Sequence, residues 1–146
     1  MYLWDADILR AFGYGQATLR LYLQRVPWEA IALPSVVVAE VLRGRCDFAL
    51  KATPTEAPLA HQRLLETQQM LAQFQVVVFD ADCATVMERL RQQHRRRKRY
   101  ADLMIAAMVI AGQYILVTRN HVDFVDVLPP AQLVNWIDDP PGASRQ

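Results

Sequence analysis

The sequence predicts an α/β domain with a central, mostly parallel β-sheet of four to five strands, covered by helices on both faces. Short apolar runs such as YLW and QVVVF alternate along the chain with helical patterns of roughly 10 to 18 residues. The chain has 146 residues, of which 53% are hydrophobic and 21% charged. This composition is enough for one compact domain with its own core.

The first half of the chain is predicted to contain two strands and three helices. These are strands 2–4 and 31–33, and helices 6–12, 16–26 and 36–42. Gly13 interrupts the first helical pattern, and Pro34 closes the second strand. We expect Ser35 to be the N-cap of the third helix, because a serine hydroxyl accepts hydrogen bonds from first-turn amides.

The second half is predicted to add three strands and three helices. The strands are 75–79, 114–117 and, at the sheet edge, 132–136; two of the helices are 59–74 and 102–111. The third begins after Asp80 or Asp82, either of which can cap it. Helix 102–111 is almost wholly apolar and should be buried, with Gly112 as its stop. We assign residues 1–137 to the domain and expect the tail 138–146 to be disordered.

Composition excludes several classes of protein. No apolar run approaches the roughly 18 residues of a membrane span, and the start MYLWDADILR is acidic where a secretion signal is basic. We therefore expect a soluble, cytoplasmic protein. Cys46 and Cys83 fit neither a disulfide framework nor a zinc site. With a net charge of +1, any attraction to nucleic acid must come from a local patch such as residues 94–99.

Four separated acids are the candidate site. Asp5 directly follows the first strand and Asp123 the fourth, and parallel strands end at one edge of a sheet. Glu40 and Asp102 lie in apolar stretches, where an unpaired charge is costly. Such carboxylates repel one another unless a cation lies among them, and oxygen ligands suit Mg²⁺ or Mn²⁺. Enzymes that cleave phosphodiesters commonly use such an ion, because it polarises the phosphoryl oxygen and activates water.

Each acid also has an ordinary structural interpretation. Asp5, Asp7 and Asp102 stand where they could cap a helix or complement its dipole. Glu40 could form an ion pair with Arg43 or with Arg10, and Asp123 could be a loop acid in solvent. Taken singly, no acid favours a catalytic role over these interpretations; the joint pattern does.

Four segments resemble, in order and spacing, the motifs of the PIN domain family and of the VapC-like toxins within it. They are YLWDADILRA, LPSVVVAEVLRG, ADLMIAAMVIA and ILVTRNHVDF. The resemblance implies a PIN-like three-layer α/β/α sandwich over residues 1–137. It also implies a metal-binding, catalytic quartet of Asp5, Glu40, Asp102 and Asp123. Three further residues would support the site or contact substrate: Asp7, Thr118 and Asn120.

The resemblance also implies a function. Family members are generally Mg²⁺- or Mn²⁺-dependent endoribonucleases, often homodimeric, and in the toxin branch they are neutralised by a partner antitoxin. The expected partners are therefore RNA, an antitoxin and a second copy of the chain. The sequence departs from the family at Asp7, where many relatives have Asn, and at the segment RRRKRYA before Asp102, where relatives often turn at Gly or Pro.

The basic run before Asp102 has two interpretations. It could be the solvated end of a helix, where cations suit the dipole. It could also bind RNA phosphates beside the acidic site. The candidates for phosphate binding are Arg95, Arg96, Arg97, Lys98 and Arg99. Aromatic residues that could stack on bases are Trp4, Tyr14, Trp28, Tyr100 and Trp136, although core packing is favoured for Trp4.

Two alternative functions compete with the ribonuclease. The motif Asp5-Ala-Asp7 after a strand resembles haloacid-dehalogenase-type phosphatases, but that site needs a lysine near a strand end, and neither Lys51 nor Lys98 is so placed. A PIN-like fold could also serve as a catalytically silent protein- or RNA-binding module. Four retained acids count against that second alternative.

Overall fold

A computed structural model describes residues 1–94 and 99–142 of the chain. Within them lies a five-stranded sheet in which every neighbouring pair is parallel. The strands are β1 (Tyr2–Trp4), β2 (Ile31–Pro34), β3 (Gln75–Val77), β4 (Ile115–Val117) and β5 (Leu133–Val134). Their order is β3-β2-β1-β4-β5. The predicted parallel sheet and its edge strand are thus confirmed.

Six helices flank the sheet in this part of the chain. They are α1 (Ala6–Gly13), α2 (Ala17–Leu23), α3 (Ser35–Lys51), α4 (Ala57–Leu71), α5 (Ala81–Gln93) and α6 (Tyr100–Gly112). Helix α6 packs along α5 and also contacts α3, and α3 packs on α4. None of the helices in the described ranges is both long and apolar enough to cross a bilayer.

The strand order places a topological switch point beside the central strand. After β1 the chain builds β2 and β3 on one side and returns with β4 and β5 on the other. Trp4, the last residue of β1, is level with Val117, the last residue of β4. The residues that follow these two strands therefore meet at the crevice where open α/β sheets bind their ligands.

The core is built around an aromatic cluster and an apolar helix. Trp4 is fully buried, and its ring centroid lies 5.4 to 6.4 Å from those of four other rings. These belong to Phe12, Trp28, Phe74 and Trp136. The core placement of Trp4 is confirmed, and Trp136 is likewise buried, which removes it as a base-stacking candidate. Helix α6 is buried from Ile105 to Val109, as its composition predicts.

Two local predictions in the first four helices need correction. Ser35 does not cap α3: Pro34 is the N-cap residue, and the Ser35 hydroxyl instead accepts a hydrogen bond from the Phe79 amide at 3.1 Å. The hydroxyl is more useful there because it ties the end of β2 to the segment after β3. Helix α4 begins and ends earlier than predicted, and Leu65, expected on its apolar face, is 49% exposed. Asp80 does cap α5, accepting from the Cys83 amide at 2.9 Å.

The end of α6 also differs from the prediction. Gly112 is the last helical residue, and the left-handed residue is Gln113, with φ 53°. Tyr114 explains the shift, because its ring occupies the space that a Cβ at position 112 would need. Gly112 is thus required because the Tyr114 ring lies against it. The left-handed backbone conformation is adopted instead by Gln113, whose Cβ makes that conformation costly.

Some predictions fall outside the described residues. Helix α5 ends at Gln93, and Arg95, Arg96, Arg97 and Lys98 of the basic run lie beyond the described part. The same holds for residues 143–146 of the tail. Nearer the domain, the Tyr22 hydroxyl donates to the Asp139 carbonyl at 2.7 Å. The domain boundary at residue 138 stays a prediction.

Replacing Gln113 with glycine should stabilise the protein. Glycine adopts the left-handed conformation without the Cβ penalty, and the gain should be about 0.5–1 kcal/mol after the entropy cost in the unfolded chain. Chemical denaturation at neutral pH measures it. The paired variant Gly112→Ala should destabilise the fold because of Tyr114. Equal stability of both variants and the native protein would contradict this account of the helix end.

Candidate active site

Asp5 lies at the centre of the switch point, one residue beyond β1. Its backbone amide donates to the Val117 carbonyl at 3.0 Å, which fixes the residue against the end of β4. Its carboxylate is held on both oxygens. Oδ1 accepts from the Ala6 amide at 2.8 Å and so caps α1, while Oδ2 accepts from the Thr118 hydroxyl at 2.9 Å. The capping interpretation of Asp5 is therefore correct, and its second oxygen is held by Thr118 at the end of β4.

Thr118 is the fully buried hydroxyl that joins the acids of this edge. Besides its bond to Asp5, its Oγ1 lies 3.4 Å from Oδ2 of Asp7 and accepts from the Asn120 amide at 3.0 Å. Asn120 in turn donates through Nδ2 to Oδ2 of Asp123. A continuous hydrogen-bonded path therefore runs from Asp5 through Thr118 and Asn120 to Asp123. These four predicted site residues are brought together by the structure.

Asp7 contributes a second carboxylate, in the first turn of α1. Its Oδ2 accepts from the Arg119 backbone amide at 2.9 Å. Its Oδ1 is buried and has no hydrogen-bond partner among the described residues. A buried polar atom left without a partner costs stability, so this oxygen is suited to a ligand that would satisfy it.

The electrostatics show that three carboxylates share this region. The pKa of Asp5 is raised to about 6, first by burial and then by the negative charge of Asp7, with a smaller contribution from Asp102. The Ala6 amide and Thr118 hydroxyl act in the opposite direction. Asp102, half-buried in the first turn of α6, is therefore close enough for its charge to be felt at Asp5.

Glu40 lies apart from this hydrogen-bonded path. It is half-buried on α3 and lines two adjoining cavities, one with the start of α6 and one with α1. In residues 1–94 and 99–142, the ion pairs within 4.0 Å involve other carboxylates, so the ion-pair interpretation of Glu40 is not supported.

The donor set fits a hydrated divalent cation better than a closed cage. Across the described ranges, no three His, Cys, Asp or Glu side chains lie close enough to hold a metal ion by themselves. Mg²⁺, however, keeps several waters and uses one or two carboxylates. The carboxylates of Asp5 and Asp7 at the edge of the sheet match that requirement. Asp7 Oδ1 is buried and has no hydrogen-bond partner among the described residues. That Asp5, Glu40, Asp102 and Asp123 bind the metal ion, with Asp7 supporting the site, remains a prediction.

Sequence reasoning missed two features of the site. One is the Arg119 amide, which holds Asp7 through its backbone and so leaves no signal in the residue type. The other is Arg45, which lines the larger cavity with Glu40 and with Arg10 and Arg43, the two arginines predicted from the sequence as possible partners of Glu40.

Comparison with known proteins assigns the same architecture. Residues 7–127 match the PIN domain family. No curated protein matches the chain. Among solved structures, DNA-bound VapBC from Salmonella typhimurium superposes with a TM-score of 0.74 at 16% identity, over 92% of this chain and 97% of that one.

Two further structures are similar. A toxin-antitoxin complex from Klebsiella pneumoniae has a TM-score of 0.67 at 23% identity, covering 93% of this chain and 98% of that chain. VapBC-5 from Mycobacterium tuberculosis, of the VapBC family of toxin-antitoxin systems, has a TM-score of 0.53 at 28% identity, covering 72% and 79%. At 23% and 16% identity, the similarity to the Klebsiella and Salmonella structures establishes the fold alone.

The raised pKa of Asp5 predicts a specific dependence of stability on pH. Between the unfolded value of 3.8 and the folded value of about 6, the folded state holds a proton that the unfolded state has lost. Stability should therefore fall as pH rises through this window and stay constant above it. Asp5→Asn removes this effect, so at pH 7 without metal it should be more stable than the native protein by about 1–3 kcal/mol.

Denaturation curves at pH 4 and pH 7 test this expectation. The difference between Asp5→Asn and the native protein should vanish near pH 4. Asp47→Asn is the matched control, because Asp47 is exposed and forms a surface ion pair with Lys51 at 4.0 Å. If Asp5→Asn and the native protein differ in stability by the same amount at both pH values, the charge of Asp5 does not destabilise the fold.

Proposed function

Because the chain belongs to the PIN domain family, we propose that it is a Mg²⁺- or Mn²⁺-dependent endoribonuclease. One observation supports this most strongly: a half-buried carboxylate, Asp5, lies at the switch point of a parallel sheet and experiences the charge of two further carboxylates. Repulsion of this kind is relieved by a divalent cation. In the absence of a cation, the same negative charges would repel a phosphate group.

In this proposal the acidic quartet of Asp5, Glu40, Asp102 and Asp123 holds the ion and carries catalysis. The ion would stabilise the negative charge that develops on the phosphate and make water a stronger nucleophile at neutral pH. The overall reaction is hydrolysis: water oxygen bonds to phosphorus, the bond from phosphorus to the 3′ oxygen breaks, and the departing oxygen gains a proton. The products carry a 5′-phosphate and a 3′-hydroxyl.

The supporting residues position the acids. Thr118 donates to Oδ2 of Asp5 and the Ala6 amide donates to Oδ1, so the carboxylate has one orientation. Asn120 donates through Nδ2 to Oδ2 of Asp123 and so helps to orient that carboxylate. Such bonds around ligands fix their geometry and tune their charge. Asp7, with its unpartnered oxygen, is placed either to join the ligands or to orient a water on the ion.

We further propose that the enzyme is the toxin of a toxin–antitoxin pair. The support is that similar structures from Klebsiella pneumoniae and Mycobacterium tuberculosis are described as toxin-antitoxin proteins. On this basis the protein acts on cellular RNA in the cytoplasm, is neutralised by an antitoxin, and forms a homodimer. An antitoxin-like gene beside this one would support the assignment.

A PIN-like binding module is the second candidate. It is favoured by one observation, that no three acidic, histidine or cysteine side chains of the described residues form a ready metal cage. Such a module would bind RNA or protein without cutting it.

The proposed activity is tested by incubating end-labelled RNA with the purified protein, with and without Mn²⁺. Cleavage should need the metal. Asp5→Asn and Asp102→Asn should each lower the rate at least about 100-fold, since an active-site group that stabilises developing charge contributes this much. Mn²⁺ should also raise the thermal midpoint of the native protein and leave that of Asp5→Asn unchanged.

Asp82→Asn serves as the control variant, because Asp82 is an exposed acid in the first turn of α5. It should cut RNA at the native rate. Binding without cleavage in every metal would support the module instead, and release of phosphate from small esters would indicate a phosphatase.

A further inference from the structure

Two neighbouring cavities share Glu40 as a lining residue. Their volumes are about 660 and 420 Å³. They also share Arg43 and Arg99, so they lie next to each other on the surface. We call this surface the Glu40 groove. The lining residues that carry the argument are Arg10, Tyr14, Glu40, Arg43, Gly44, Arg45, Arg99 and Tyr100.

The Glu40 groove concentrates positive charge in a nearly neutral protein. Four arginines line it against a single carboxylate, whereas the whole chain has a net charge of +1. In the described part of the chain, none of the four forms an ion pair within 4.0 Å. Like charges facing one groove repel each other, and a polyanion would relieve that repulsion.

One of these arginines is held in place. Arg45 is half-buried, and its Nε donates to the hydroxyl of the buried Thr67 at 3.1 Å. A guanidinium that is already fixed loses less entropy when it binds an anion. Arg10, Arg43 and Arg99 are exposed and are free to follow a flexible chain of phosphates.

Each of the two cavities is lined by one exposed aromatic ring. Tyr14 is 80% exposed and lines the larger cavity, while Tyr100 is 60% exposed and lines the smaller one. One face of the Tyr100 ring is approached by Arg91, at 5.8 Å from the ring centroid. A positively charged groove that also carries exposed aromatic rings is typical of proteins that bind single-stranded nucleic acid, through phosphates and stacked bases.

The floor of the groove is open at Gly44. This residue lies on α3 one turn after Glu40, and a Cβ built on it would meet nothing within 4 Å. A helix interior disfavours glycine, and no neighbouring atom requires one here. A small residue at this point leaves room for a strand to cross the helix.

We propose that single-stranded RNA lies in the Glu40 groove, with phosphates on Arg10, Arg43, Arg45 and Arg99 and bases against Tyr14 and Tyr100. The strand then crosses Glu40, which would carry a scissile phosphate to the acidic site. This placement rests on the proposed function. A duplex fits less well, because its bases are stacked inside and cannot lie on the tyrosines. An acidic peptide would satisfy the arginines but makes no use of the two exposed rings.

Binding is measured by fluorescence anisotropy with a labelled oligouridine of about 12 nucleotides. Every variant carries Asp5→Asn, so that bound RNA is not cut. Arg10→Gln with Arg43→Gln should weaken binding about tenfold or more. It should also make the plot of log affinity against log salt shallower by about 1.4, as expected for two lost phosphate contacts. Arg20→Gln with Arg25→Gln, two exposed arginines outside the groove, makes the same change in net charge and should have little effect.

Gly44 and Tyr14 give matched pairs that test space and stacking. Gly44→Glu should abolish the tight binding, whereas Gly44→Ala should bind RNA normally and unfold at a temperature roughly 2–4 °C higher. Tyr14→Ala should weaken binding about fivefold or more, and Tyr14→Phe should restore it, because phenylalanine keeps the ring.

Several results would overturn the proposal. These are equal weakening by both arginine pairs, normal binding by Gly44→Glu, or duplex RNA binding as tightly as the single strand. Loss of binding to polyglutamate but not to RNA would assign the groove to an acidic protein partner. If the variants lose RNA binding while the protein without Asp5→Asn never cuts RNA, the groove stands and the nuclease fails. If that protein cuts RNA while the groove variants bind RNA normally, the nuclease proposal stands and the groove proposal fails.

Discussion

The hydrogen bond between Thr118 and Asp5, 2.9 Å long and buried at the ends of β4 and β1, is the interaction on which the rest of the site depends. It joins the two strands that flank the switch point at the place where their main-chain pairing ends. The same hydroxyl accepts from Asn120, and through that residue it governs where Asp123 lies. Without this bond the half-buried carboxylate of Asp5 would lie near Asp7 with its Oδ2 lacking the Thr118 donor.

A folded domain accepts a destabilised carboxylate at this position because the same residue also contributes to the fold. Asp5 caps α1 through Ala6, and a side-chain cap is worth about 1 kcal/mol. Its backbone extends the contact between β1 and β4. Burial and the charge of Asp7 act against it and raise its pKa. A group whose structural and electrostatic contributions oppose each other in this way is typical of a functional site.

Much of the fold could be predicted, because periodicity and composition report burial directly. All five strands and all six helices of the described residues correspond to predicted elements, and the burial of α6 followed from its lack of charge beyond Asp102. The details that failed depend on contacts far away in sequence. Ser35 binds Phe79 instead of its own helix, and Tyr114 decides the conformation of Gln113. No local pattern carries those two contacts.

The site was only partly predictable for a related reason. Strand ends locate Asp5 and Thr118, since parallel topology alone brings them to one edge. Glu40 and Asp102 arrive on helices, whose positions depend on how α3 and α6 pack. That packing also creates the groove, where Arg10 of α1 faces Arg43 and Arg45 of α3. The density of charge in the sequence pointed only to residues 94–99. Packing gathers Arg10, Arg43 and Arg45, which are scattered in sequence, beside Arg99 of the basic run. The fold therefore builds most of the proposed RNA-binding surface, and the charged run contributes one residue to it.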